Sequence, residues 1–468
     1  MTSPLGRLAW AAAILALSGT TASAADPPAL TPADRQAVLG VLSAEATAGS
    51  QDDSALLAAV RRRAATELGL RLIPIQVDSL WSFAPPPHQL DAEIRAALDQ
   101  GRLAAWLQSL TPTAPRYRAL AAARQAYAGV VAAGGWGLLP DGPARRMGDV
   151  GPDVAALRVR LAVEDGPAAD TATPEVFDLF LRQSLMAFQA RHGLASDGRL
   201  TAETRAELNV PADQRLAQID ANLERWRWLP PLPADRIEVD IAGQSATLYR
   251  QDSPQLTMRI IVGDLKHKSP MFASRLEAVV FNPPWNVPAT IAAQEILPKE
   301  HAHPGYLAAN DFQFVDGALQ QKPGPKNALG RLKFDFPSPY GVYLHDTPSH
   351  AAFARANRAL SHGCIRLEKP RDLAAAVLPA GAWPTAAIDA AIATGVTQRV
   401  AVARQLPIYV LYWTAVAAPD GGLEFRRDRY GWDDELTRAL ADLVPVPVAE
   451  GPRPATECAA AKAPQPVL

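Results

Sequence analysis

Residues 236–263 read RIEVDIAGQSATLYRQDSPQLTMRIIVG, and here the periodicity of the chain changes. Upstream, apolar residues recur every three or four positions. From Arg236 the period is two: RIEVDI, ATLYR and LTMRIIVG alternate apolar with polar, with Gly243 as a turn between the first two. LEAVVFN (276–282) is a denser strand pattern, and GVYLH (341–345), QRVAVA (398–403) and PIYVLYWTAV (407–416) extend the series. Helical patterns are fewer, around 370–378, 386–394 and 432–443. PGPKNALG (323–330) is expected to be loop. A strand-dominated domain with helices between strands is expected over 236–447.

Working outward toward the N-terminus, residues 213–235 read as a helix and linker. The helix carries Trp226 and Trp228 and stops at Pro230-Pro231, a natural boundary. Residues 148–212 hold three short amphipathic segments. Val154, Leu157 and Leu161 share one face, and Phe177, Leu181, Leu185 and Phe188 mark a second helix. Asp197-Gly198 forms a turn, and Thr201 caps a third. Residues 25–147 are rich in Ala, Leu and Arg and read as a helical scaffold, with Thr31 as N-cap and Pro32 at the first helical position. The loop SFAPPPHQ (82–89) interrupts it.

Composition is that of a globular protein: 48% hydrophobic and 20% charged residues, with a net charge of -2. That balance favours neither nucleic acid nor an anionic membrane surface as partner. The first residues carry one positive charge, Arg7, an apolar run from Leu8 to Leu17, and Ala22-Ser23-Ala24. This is the pattern of a secretory signal peptide, residues 1–24, cut after Ala24. The run is too short to span a ~30 Å hydrocarbon core, so no transmembrane segment is expected after cleavage. In an oxidising compartment the chain's two cysteines, Cys364 and Cys458, would ordinarily pair. Cys458 lies in an Ala- and Pro-rich tail, 448–468, expected to be disordered and a poor anchor for a disulfide.

Cys364 instead sits in ALSHGCIRLEKP (359–370). Five histidines, His301, His303, His345, His350 and His362, lie between 301 and 362. His301-x-His303 and His362-x-Cys364 are too tight for the usual zinc arms, so neither metal nor cofactor is expected. Nucleophilic catalysis fits better, because a cysteine needs a neighbour that takes its proton. His345, at the end of a strand nineteen positions earlier, is the candidate general acid/base. His362 is assigned a supporting part. Gly363 lets a carbonyl approach the backbone closely, and its N–H with that of Cys364 is a candidate oxyanion hole. Arg366 is placed to hold a substrate carboxylate or to pin the loop through backbone carbonyls.

YLHDTP followed by SHGCIR resembles the catalytic signature of L,D-transpeptidases of the YkuD type: a histidine, a gap, then Ser/Thr-His-Gly-Cys-x-Arg. Its elements stand here as His345, Ser361, His362, Gly363, Cys364 and Arg366. The likeness continues through FNPPWNVPATI (281–291), QKPGPKNALGRLKF (321–334), PIYVLYWTA (407–415) and DRYGWDD (428–434). It is similar in this to the large periplasmic enzymes of the YcbB type. The 148–212 segment resembles the three-helix peptidoglycan-binding module, through Gln189, His192, Gly193, Asp197, Gly198 and Thr204. Gln189 and His192 are read either as ligand contacts or as ties across the turn. The lid-like insertion from about 291 to 322 looks shorter than the subgroup's usual version.

The resemblance implies a multidomain α+β protein of the periplasm that acts on peptidoglycan stem peptides. Cys364 would attack the third-residue carbonyl, release D-Ala, and pass the acyl group to a diamino-acid amine to give 3→3 cross-links. It also implies that the Asp346 carbonyl orients His345, that Tyr343, Asn282, Trp285 and Ser361 line the substrate site with Asn327 nearby, and that carbapenems acylate Cys364. Trp285 is read equally as core. Two other readings stand: an L,D-carboxypeptidase with water as acceptor, and a non-catalytic peptidoglycan-binding protein.

Overall fold

The computed structural model describes residues 30–42, 52–166, 172–417 and 422–443. The expected signal peptide and the tail with Cys458 lie outside the described residues. The chain divides into two compact units, one made of residues up to 64 and 89–110, the other of 65–88 and 111 onward. The region expected to be one helical scaffold is therefore shared between both.

In the smaller unit, Pro32–Leu42 begins as expected, with the Asp34 N–H donating to Thr31 Oγ1 at 3.1 Å. Val38, Leu56, Val60, Ile94, Leu103 and Leu107 bury a small core of their own.

In the larger unit nine strands form one sheet: β1 Arg236–Asp240, β2 Ser245–Arg250, β3 Ser253–Gly263, β4 Phe272–Phe281, β5 Leu332–Asp335, β6 Leu344–His345, β7 Ala359–Ser361, β8 Ile365–Leu367 and β9 Gln398–Leu411. The spatial order is β7-β3-β8-β6-β5-β4-β9-β1-β2, and β2 also pairs with β3, so the sheet closes on itself. β1 is buried at every residue, between parallel β9 and antiparallel β2. Two stretches expected as separate strands, 398–403 and 407–416, are largely the one long β9, which carries a register shift between Ala401 and Leu406. At the β1–β2 turn the left-handed residue is Gln244 (φ 49°), not Gly243. Gly243 is needed for closeness: a Cβ there would lie 2.6 Å from Asp240 Oδ2.

Helix Pro115–Ala132 packs on helix Ala212–Arg227 and adds Tyr117 and Leu120 to the sheet's core. Trp81 joins that core, 5.8 Å from the ring centroids of both Trp228 and Trp432. Backbone bonds from Ser82 N to Met271 O (2.9 Å) and from Met271 N to Leu80 O (2.8 Å) hold it there. Much of the expected scaffold is thus part of the β domain's interior.

Helices Pro152–Asp165, Leu179–Arg191 and Ala202–Leu208 enclose a separate core of Val154, Leu157, Phe177, Leu185 and Phe188. Phe177 lies before its helix, whose N-cap is Asp178. Gln189 is buried and ties the turn: its Nε2 donates to Arg199 O (3.0 Å) and Thr204 Oγ1 (3.1 Å), and its Oε1 accepts from Gly198 N (2.8 Å). Gly198 has φ 69°, a conformation suited to glycine. No helix among the described residues is long and apolar enough to cross a membrane.

Candidate active site

β6 and β8 are adjacent and parallel, with Leu344 opposite Ile365 and His345 opposite Arg366. Alternate residues of a strand share a face, and in-register neighbours on parallel strands do too. His345 and Arg366 therefore point the same way, with Tyr343 two residues before one and Cys364 two residues before the other. The Ile365 N–H donates to Tyr343 O at 3.1 Å, carrying the pairing back to the cysteine. The short strand pairs set Cys364 and His345 on one face of neighbouring strands.

His345 is 4% exposed, and its Nδ1 lies 2.6 Å from the Asp346 carbonyl oxygen. A carbonyl only accepts, so the proton is on Nδ1 and the lone pair on Nε2. Burial, and secondarily the Arg366 guanidinium, hold its pKa down at about 3 despite the carbonyls of Asp346 and Leu329. Burial pushes the Cys364 thiol up, against the Tyr343 N–H and hydroxyl and the charge on Arg366. At neutral pH the pair rests as thiol and neutral imidazole.

The turn bearing Cys364 is held from behind. Gly363 has φ 102°, outside the range other residues adopt easily. Ser361 Oγ accepts from the Gly363 N–H at 3.2 Å and donates to the Cys364 carbonyl at 2.5 Å. Ser269 Oγ donates to Gly363 O at 2.7 Å and accepts from Gly263 N at 2.9 Å. Tyr430 OH donates to Gly263 O at 2.6 Å and accepts from Ser269 N at 3.2 Å. Sequence reading missed Ser269 and the role of Tyr430; the only trace was the DRYGWDD likeness. It also put the Gly363 N–H in the oxyanion hole. That donor is engaged by Ser361, and it is the Cys364 N–H that has no acceptor among the described residues.

Other expected site residues lie elsewhere. Ser361 is 2% exposed and braces the turn rather than facing substrate. Asn282 is fully buried with φ 44°, its Nδ2 donating to Ala391 O (3.1 Å) and Val396 O (3.2 Å), so it holds the C-terminal end of helix Thr385–Ala393 and the turn that follows it. Asn327, also fully buried, donates to Pro283 O (3.1 Å) and Lys322 O (3.0 Å), shaping its own loop. Tyr343 is retained beside the thiol, its ring 5.6 Å from that of His345 and 4.6 Å from Lys333 Nζ. His362 turns out of the site. The left-handed Gly363 breaks strand alternation there, and His362 Nε2 meets Glu295 Oε1 at 2.5 Å, with His267 4.5 Å away ring to ring. Glu295 belongs to a π-helical turn, Ala292–Ile296, in the insertion. His301, His303 and His350 are exposed.

Beside this face is a cleft of about 230 Å³, lined in part by Trp285, Tyr306, Phe312, Lys326 and Arg366. Trp285 is half-buried there and also packs on the insertion's small core.

Residues 234–397 match the family model described as "L,D-transpeptidase catalytic domain", YkuD. Residues 150–208 match "Putative peptidoglycan binding domain". A curated relative from Haemophilus influenzae, named "Putative L,D-transpeptidase", is 32% identical over 257 residues, 50% of this chain and 51% of the relative. The chain thus spans about half the length of the curated relative it matches. Among solved structures, an L,D-transpeptidase from Mycobacterium smegmatis is 17% identical over 38% of this chain and 58% of that one, with a TM-score of 0.22. One from Xylanimonas cellulosilytica is 14% identical over 58% of this chain and 99% of that one, with a TM-score of 0.19.

Proposed function

We propose that this protein is a peptidoglycan L,D-transpeptidase that forms 3→3 cross-links. The observation that carries the reading is the register of His345 and Arg366, which sets a correctly protonated imidazole on the same face as Cys364. His345 Nε2 takes the thiol proton as Cys364 Sγ attacks the carbonyl of the third stem residue. The Cys364 N–H is the available donor for the oxyanion. Collapse expels D-Ala, which leaves with the proton from His345, and gives a thioester on Cys364. The side-chain amine of a second stem peptide then attacks, His345 takes its proton, and the thiol is restored. The three-helix domain would hold the enzyme on its polymeric substrate, and the leader pattern supports export to the periplasm.

The purified protein, incubated with stem tetrapeptide, is expected to release D-Ala and yield cross-linked dimers by mass spectrometry. Tripeptide without dimer would support the L,D-carboxypeptidase reading. A carbapenem is expected to add its mass to the wild type and not to Cys364→Ala. No adduct on the wild type would leave only the wall-binding reading.

A further inference from the structure

The guanidinium of Arg366 stands out in this molecule. Its Nε is shielded from solvent without a hydrogen-bond acceptor, and among the described residues the Arg366 side chain has no hydrogen bond or ion pair. One of the two roles open to it, pinning the loop through backbone carbonyls, is not realised. Ser361 and Ser269 do that work. A largely buried cation without a partner is costly, and it is satisfied when an anion arrives. The adjoining cleft provides the room. Its walls are Trp285, Tyr306 and Phe312 with polar groups such as Ser349, and its charged side chains are both cations, Arg366 and Lys326. Lys326 is partly engaged, donating to Ala309 O at 2.6 Å and lying 4.0 Å from Asp311. Acidic side chains are absent from the lining.

We infer that this cleft is a carboxylate subsite, with Arg366 as its anchor and Lys326 as a secondary charge, and that it selects acyl donors by a free carboxylate. The inference rests on the transpeptidase reading. A planar guanidinium pairs with a carboxylate through two parallel hydrogen bonds, and a carboxamide cannot replace it without leaving a donor facing a donor. A stem tetrapeptide offers two sources. One is the terminal carboxylate of the departing residue, and the other is the second carboxylate of the diamino acid.

The test uses the full chain and three synthetic donors: the free diacid, the C-terminal amide, and the diamino-acid side-chain amide. The readout is kcat/KM for release of the terminal residue, so the acceptor does not matter. In the wild type one amide is expected to fall at least about tenfold below the diacid, and which one falls identifies the carboxylate. In Arg366→Gln that ratio shrinks toward one. Arg366→Lys keeps part of it, and Lys326→Gln reduces it less. Melting curves establish that the variants are folded. Equal use of all three donors by the wild type, or an unchanged ratio in Arg366→Gln, overturns the subsite and leaves the transpeptidase standing. No turnover of any donor by the wild type overturns the transpeptidase reading itself.

Discussion

Arg366 and His345 are register partners on adjacent parallel strands, so a fixed positive charge stands beside the imidazole and on the same face as the thiol. That charge disfavours imidazolium and favours thiolate. With His345 held at about 3 and the thiol pushed up, kcat/KM for acylation is expected to be flat from about pH 6 to about pH 8. Alkylation of Cys364 by iodoacetamide, which needs thiolate, is expected to climb with an inflection above the ordinary thiol value. In Arg366→Gln the inflection moves higher still. An inflection below neutrality would mean a preformed thiolate–imidazolium pair.

Removing the base should be severe and should not disturb binding. His345→Gln is expected to slow acylation by about 10²–10⁴-fold. Stopped mixing with a carbapenem, followed by intact mass, reads the rate directly. A loss below tenfold would assign the proton to another group.

Two glycines near the nucleophile should respond differently to alanine. A Cβ on Gly263 would sit 1.9 Å from the His267 carbonyl oxygen, so Gly263→Ala must displace the loop whose Ser269 holds Gly363. At Gly363 the nearest atom would be 3.6 Å away, and only the φ of 102° is at issue. Gly363→Ala is expected to cost about 1–3 kcal/mol from backbone strain, and Gly263→Ala more. Urea denaturation of both variants checks the order.

Acid should destabilise the fold in two stages. Glu164 and Glu207 flank buried His192, at 3.5 and 3.0 Å, with Arg160 on one and Arg215 on the other. These partners outweigh burial and hold both carboxyls at about 2, below the ordinary 4.5. His345 at about 3 also lies below its ordinary 6.5. In every case the unfolded chain takes up protons first as pH falls, so stability is lost on acidification. The loss begins below 6.5 through His345 and deepens below 4.5 through the two glutamates. Urea midpoints between pH 7 and pH 3 should show His345→Gln flattening the first stage only. Parallel curves for variant and wild type would contradict the assignment.

Local signals were legible in the sequence, and long-range ones were not. Thr31 and Thr201 cap helices because their hydroxyls need only the next turn's N–H. The two-residue period marked β1 to β3, and a dense apolar run marked β4, because such patterns are written into each segment. Closure of the sheet through β2 and β3 depends on partners that no single segment encodes. The same holds for Trp81, which binds far along the chain to Met271. Asn282 and Asn327 lay in motifs shared with a family, and motif membership does not separate a residue that touches substrate from one that shapes the loop beneath it. The Gly363 N–H looked free because its acceptor, Ser361 Oγ, is a side chain whose rotamer the sequence does not specify.

The bond that fixes the His345 tautomer runs to the main chain of Asp346, not to its carboxylate. Every amino acid has that oxygen. The acceptor is therefore present whatever side chain stands at 346, in a way that a triad carboxylate is not. The carboxylate of Asp346 acts one step back: it accepts from the Arg331 N–H at 2.8 Å and packs against Gly330, so it holds the turn that aims the carbonyl. A variant lost in this respect would arise by moving backbone, whether through the loop around Gly330 or through the loss of that tie.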